Sequence, residues 1–145
     1  MTLYSQAVQE QYINNADDRA RGEGNNPFGS FRDTSPAAKQ TGSGPFAGDE
    51  AEFSFKVYGG SDLTRRIGSA VLVCRYNFDR NAFCEVAYKL AGGTLFASGA
   101  FNLDATIFTL AVSGGTGAYS RMTGEVDGSP NANHGQRLAF LIQRA

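Results

Sequence analysis

One histidine, two cysteines and no run of lysine or arginine leave little material for several common chemistries. His134 stands alone, and Cys74 and Cys84 are ten residues apart, so no zinc-type ligand spacing is present. Lys and Arg number 13 against 14 Asp and Glu, and the formal net charge of −1 supplies no strong attraction for nucleic acid or an anionic membrane. Apolar runs such as residues 70–74 are far too short to span a bilayer. The opening residues 1–6 have neither a basic start nor an apolar core. No secretory signal is therefore visible, and a cytoplasmic location is expected. No long helical pattern occurs. A length of 145 residues fits one domain.

What the chain does have is period-two alternation broken by turn residues. A first strand fits the residues up to about Asn14, with Val8, Tyr12 and Ile13 as its apolar members. From Glu50 onward, strands are expected over residues 52–58, 68–76, 83–90, 94–101, 107–113, 119–125 and 137–143. Turns separate them at residues 59–62, 77–81, 92–93, 102–104, 114–117 and 127–135. Eight antiparallel strands with short hairpins suit a closed barrel, which removes exposed edges and can hold side chains plus one small ligand. An open two-sheet sandwich is the competing arrangement.

Two segments stand apart. Residues 22–48 are rich in Gly, Asn, Ser and Pro, with Phe28, Phe31 and Phe46 isolated among them, and read as one long loop, at about residues 22–49. Ser113-Gly114-Gly115-Thr116-Gly117 invites a phosphate-loop reading, but no Gly-Lys-Ser/Thr ending and no helix follow. These glycines are read as a hairpin that needs positive φ. Cys74 and Cys84 flank the turn at residues 77–81 and could face each other across it. A disulfide is possible there, but two reduced thiols are the expectation for a cytosolic protein. Arg75 and Glu85, with Lys89 on the same face, read as an outward ion pair.

Several segments resemble the allene oxide cyclase family and, more distantly, the dirigent proteins. Asp17-Asp18-Arg19-Ala20-Arg21-Gly22 resembles the family's acidic, Arg-rich segment after its first strand. Lys56-Val57-Tyr58 with Asp62-Leu63-Thr64-Arg65-Arg66-Ile67-Gly68 is similar to a family turn. Ser98-Gly99-Ala100-Phe101 and Phe108-Thr109-Leu110-Ala111-Val112-Ser113-Gly114-Gly115-Thr116-Gly117 match two further pieces in the same order. The resemblance implies an eight-stranded antiparallel barrel of lipocalin-like calycin type that needs no cofactor and assembles as a homo-oligomer, a trimer or dimer. It implies a pocket that constrains one reactive conformer, as in the plant cyclases, the dirigent proteins and bacterial polyketide cyclases. By the same matching, the pocket cysteine falls on Cys74, the catalytic glutamate near Asn15 and its neighbouring asparagine near Asp17. A second pocket asparagine falls on Phe55 and a tyrosine on Phe101.

The residues themselves allow more than one role. Asp17 could act as acid, base or orienting group at the barrel mouth, or sit in a solvated turn paired with Arg19 or Arg21. Cys74 shares a face with Ala70, Leu72 and Tyr76 and could line a pocket, with no basic partner to activate it. Phe53, Phe55, Phe101 and Tyr119 are candidate pocket aromatics, as are Phe83, Phe96, Phe108 and Tyr88, although alternation sends only about half inward. The expected function is a cofactor-independent isomerase or cyclase that closes a ring on a small hydrophobic, fatty-acid- or polyketide-derived substrate. Asp17 and Asn15 are assigned as catalytic, and Cys74, Phe53, Phe55, Tyr76, Phe101 and Tyr119 as substrate-binding, with no cofactor and no metal. A non-catalytic binding or dirigent-type barrel is the alternative, and a structural oligomer with a filled interior is a third reading.

Overall fold

The structure, a computed structural model, describes residues 1–15, 44–77 and 81–145. Eight strands follow one another: β1 (Thr2–Ile13), β2 (Glu50–Tyr58), β3 (Arg66–Tyr76), β4 (Ala82–Leu90), β5 (Gly93–Phe101), β6 (Phe108–Gly115), β7 (Met122–Pro130) and β8 (Gln136–Arg144). They close into one barrel in chain order, β1 beside β8, and every pair is antiparallel. The barrel, not the sandwich, is the fold.

Alternation explains which residues fill it. Along β4, Ala82, Cys84, Val86 and Tyr88 are buried, whereas Phe83, Glu85 and Lys89 are exposed. Leu3, Val57, Leu95, Leu110, Val112, Val126, Leu138 and Phe140 join Val86 and Tyr88 in the main core. A smaller cluster of Ala51, Cys74, Ala82 and Cys84 occupies the other end of the lumen. No described helix is long and apolar enough to cross a membrane.

Closure depends on a short contact. Only Thr2, Leu3, Tyr4 and Ser5 of β1 pair with β8, opposite Ala139, Leu138, Arg137 and Gln136. The remainder of β1 runs on beside β2, with a register shift between Ala7 and Gln9. Gly135, in the turn before β8, has φ +69, and a Cβ there would stand 2.1 Å from the Ser5 carbonyl oxygen. The turn can approach β1 this closely only without a side chain.

Three expectations need correction. Cys74 and Cys84 are not free thiols: they are direct partners across β3 and β4, 4.1 Å apart at Cα, and form a disulfide. Arg75 does not pair with Glu85. Its partner is Glu50, its opposite number on β2, at 2.9 Å, while Glu85 lies opposite Val73. The seventh strand begins and ends later than expected. Tyr119 sits in a short 3-10 turn, Gly117–Tyr119, and Asp127-Gly128-Ser129-Pro130, read as turn formers, belong to β7. Gly128 is needed there because the Phe108 ring lies across it, and Asp127 accepts a hydrogen bond from the Thr109 hydroxyl at 2.5 Å. The glycine hairpin is architectural as expected, with Gly114 and Gly117 at positive φ and the Ala118 amide donating to the Gly92 carbonyl at 2.8 Å. The expected long loop and the middle of the residue 77–81 turn lie largely outside the described residues.

Gly135→Ala should destabilise the protein by about 2 kcal/mol, because it combines a strained φ with a backbone clash. Thermal unfolding followed by circular dichroism should show a midpoint lower by roughly 8 °C.

Candidate functional site

The lumen holds a cavity of about 140 Å³. That is close to the roughly 150 Å³ of an apolar cavity able to take a benzene ring. Phe53 and Phe55 of β2 form one wall, with ring centroids 6.0 Å apart and planes 26° from parallel. Phe101 of β5 and Phe108 of β6 form another, at 5.1 Å and 19°. In a closed barrel of eight strands, β2 and β6 stand opposite each other, so the two aromatic pairs flank the space like the sides of a slot. Leu72, Val86, Leu110 and Leu138 complete the apolar lining, and Leu103 and Ala105 contribute from the connection between β5 and β6.

Three polar side chains interrupt this surface: Ser5, Tyr88 and Gln136. Ser5 and Gln136 are direct partners in the pairing of β1 with β8. Tyr88 comes from β4, on the far side of the barrel from β8, yet its ring meets Phe140 edge-on at 5.2 Å. It therefore reaches across the lumen. Phe140 does not line the cavity, so Tyr88 forms the floor that separates the two. Tyr88 is only 4% exposed, and burial pushes its phenol above the ordinary value, keeping it neutral. Among the described residues no Asp, Glu, Lys, Arg or His lines the cavity.

Beyond the cavity lies the disulfide. Phe53, Leu72, Phe101 and Leu103 touch both the cavity and the Cys74–Cys84 cluster. Cys74 thus supports the walls from behind, and its sulfur is bonded to Cys84 and supplies no thiolate.

At the same end a buried carboxylate ties the chain together. Asp49 is wholly buried. Its Oδ2 accepts hydrogen bonds from the Tyr12 phenol and from the Phe46 amide at 3.2 Å, and its Oδ1 accepts one from the Asn15 amide at 3.0 Å. The Asn15 side chain donates to the Gly48 carbonyl at 2.5 Å. Gly48 donates to, and Asp49 accepts from, the backbone of Tyr76, both at 2.9 Å. The two ends of the segment joining β1 to β2 are thus latched to each other, and the second of them to the end of β3. Tyr12 also packs against Tyr76, 6.2 Å between ring centroids. Partial burial, the hydrogen bond to Asp49 and that carboxylate's charge raise the Tyr12 phenol to about 12.

The sequence-predicted residues thus separate. Phe53, Phe55 and Phe101 are cavity walls. Tyr76 packs beside the disulfide and Tyr12, outside the lining. Tyr119 lies at the opposite end of the barrel, against the main core. Asn15 points its amide at Gly48, and Asp17 lies outside the described residues. Sequence reasoning missed Ser5, Gln136 and Asp49, and assigned Tyr88 to no face. Only Tyr88 carried a usable signal, since it alternates in step with Cys84 and Val86.

No family model and no curated protein matches the sequence. Solved structures do. A pyocyanin demethylase superposes with a TM-score of 0.71 at 20% identity, over 99% of this chain and 98% of its own. AbnU, an exo-specific intermolecular Diels-Alderase, gives 0.62 at 10% identity, over 95% and 93%. A nonspecific heme-binding cyclase that catalyses a [4 + 2] cycloaddition during neoabyssomicin biosynthesis gives 0.57 at 15% identity, over 94% of this chain and 57% of its own. At these identities the likeness is one of fold.

The Tyr12 phenol should titrate near 12, above its ordinary 10.0. A phenol whose folded pKa is raised stabilises the fold fully below its unfolded pKa, and that contribution is lost as pH climbs through the folded value. The stability gap between wild type and Tyr12→Phe should therefore be constant below pH 10 and shrink up to about pH 12. Phenolate absorbance should show one fewer late-titrating group in the variant.

Proposed function

We propose that the chain is one barrel domain acting as a cofactor-independent cyclase or isomerase on a small, mostly apolar substrate folded within the lumen. The observation that carries this reading is the slot between the Phe53–Phe55 and Phe101–Phe108 pairs, a space for about one ring with a few polar groups around it. A slot of this kind holds a flexible chain in the conformer that closes. Restricting a reactant in this way lowers a barrier without strong acid–base chemistry. Ring formation by the Diels-Alderase and by the [4 + 2] cyclase on the same fold supports the reading.

The carboxylate of Asp17 is assigned to polarise a substrate oxygen at the mouth. Asn15 serves there by holding the segment through Gly48 and Asp49. The absence of a charged side chain among the described walls favours one competing reading, a barrel that binds its ligand without converting it.

Incubation with a linear polyene ketone of polyketide type separates the two. A cyclase should speed the loss of conjugated absorbance and yield one stereoisomer in excess. Phe53→Ala and Phe101→Ala should each slow turnover about 10- to 100-fold, since misplaced substrate loses the reactive geometry. Asp17→Asn should also slow turnover if the assignment holds. Retention of the ketone with no conversion by wild type would leave the binding reading standing.

The same reading includes a homo-oligomer. On the outside of the barrel Val71, Ala87 and Phe96 form a cross-strand row over β3, β4 and β5, with Val71 54% and Phe96 42% exposed and Val73 and Phe83 beside them. A second copy covering this face would remove a contiguous apolar patch from water. Phe96→Glu should then reduce the mass seen by light scattering to that of one chain, without changing the barrel's circular dichroism.

A further inference from the structure

Tyr88 combines two properties that structural tyrosines seldom share. It is more deeply buried than any other tyrosine described, at 4% exposure, yet its hydroxyl has no hydrogen-bond partner among the described residues. A buried phenol without a partner is costly unless its oxygen meets space that water or a ligand can fill. Among the described residues no fully enclosed side-chain nitrogen or oxygen lacks a partner, so the Tyr88 hydroxyl is not sealed in, and the space that Tyr88 lines is the cavity. Ser5, 3% exposed, is in a similar position on the β1 wall, lining the cavity with no side-chain hydrogen bond among the described residues.

We infer that Tyr88 binds the substrate directly, donating a hydrogen bond from the floor of the slot to a neutral acceptor oxygen, so that the substrate is an uncharged carbonyl compound whose polar end enters first. The inference rests on the proposal that the lumen is the substrate site. It adds the direction of entry, the chemical class and the residue that reads it. The neutral class follows from the lining: no described cationic side chain is present to balance a carboxylate in the slot. The donor role follows from the phenol's chemistry, because burial disfavours phenolate and leaves the O–H available. A hydrogen bond to a carbonyl also withdraws electron density from a conjugated double bond, which favours its reaction with an electron-rich partner. Ser5 and Gln136, paired across the β1–β8 seam, can satisfy a second oxygen on the same molecule.

Acetophenone and ethylbenzene test this, since they share shape and differ by the carbonyl oxygen. Affinities of wild type and Tyr88→Phe for each are measured by ligand-observed NMR titration. Tyr88→Phe should weaken acetophenone about three- to tenfold, the worth of one hydrogen bond, and leave ethylbenzene within about twofold. Benzoate should not bind either protein at neutral pH. Equal effects of the substitution on both neutral probes would overturn the role of Tyr88 while leaving the lumen as the site. Failure of wild type to bind either neutral probe would overturn the lumen reading and this inference together. Benzoate binding as tight as acetophenone would overturn the neutral class. If Tyr88→Phe does not fold, the carbonyl stretch of bound acetophenone in wild type decides. It should lie below its value in hexane, and a frequency equal to that in hexane would sink the proposal.

Discussion

Every feature of the lumen depends on four residue pairs. Thr2 to Ser5 of β1 must meet Gln136 to Ala139 of β8, because without that seam the sheet has two open edges and no interior. The contact is short for a barrel. It is reinforced where the Phe140 amide donates to the Met1 carbonyl at 2.8 Å, and it is permitted by Gly135, whose lack of a side chain lets the turn lie against Ser5. The seam is also where two of the three polar cavity groups originate. Ser5 and Gln136 are separated by nearly the whole chain, and only closure makes them neighbours. Architecture and site therefore rest on the same few hydrogen bonds.

The two ends of the lumen are built differently. Toward the glycine hairpin, large aliphatic and aromatic side chains pack to completion around Leu95, Leu110, Val126 and Phe140. Toward the segment joining β1 and β2, the interior is filled by small residues and a disulfide, Ala51, Ala82 and Cys74–Cys84, with Phe53 and Phe101 leaning over them. The cavity lies between these regimes, roofed on one side by Leu103 and Ala105. Asp49 makes that arrangement durable. A wholly buried carboxylate is expensive unless its oxygens are met, and here a phenol and two backbone amides meet them. The cost of burying the charge becomes a reason for Tyr12, Asn15 and Phe46 to stay where they are.

The barrel was legible because alternation is a local property. Ala82, Cys84, Val86 and Tyr88 announce one face of β4 without knowledge of any other strand. Phe53, Phe55 and Phe101 stand among eight candidate aromatics, but alternation alone does not say which of the eight face inward, and it is barrel closure that puts these three on the cavity wall. What was not legible depended on contacts between distant residues or on unpatterned ones. Gln136 carries no signal until β8 lies beside β1. Asp49 sits at the end of a Gly- and Ser-rich stretch, where one acidic residue looks like ordinary surface. Gly128 and Pro130 look like turn formers, and only the Phe108 ring explains why Gly128 stands inside β7. Tyr119 was drawn into the pocket by its type, whereas a 3-10 turn holds it at the wrong end of the barrel.

The magnitudes say what kind of chemistry such a lumen can support. One neutral hydrogen bond is worth about 1 kcal/mol net, less than tenfold in rate if it forms only in the transition state. Holding two separate reactants in register can be worth as much as about 7–11 kcal/mol, and a molecule whose two ends are already joined gains the smaller part that comes from freezing its rotors. A cavity with aromatic walls on two sides and no described ionisable side chain except a neutral phenol is therefore better matched to selecting a conformer than to moving protons. Reactions that need only the right conformer, such as cycloadditions and electrocyclic closures, suit it. Reactions that need a strong base in contact with the bound ring would require a group other than the described cavity walls. On the proposed reading the seam and the Asp49 latch matter to function as well as to stability, since a slot selects a conformer only as sharply as its walls are fixed.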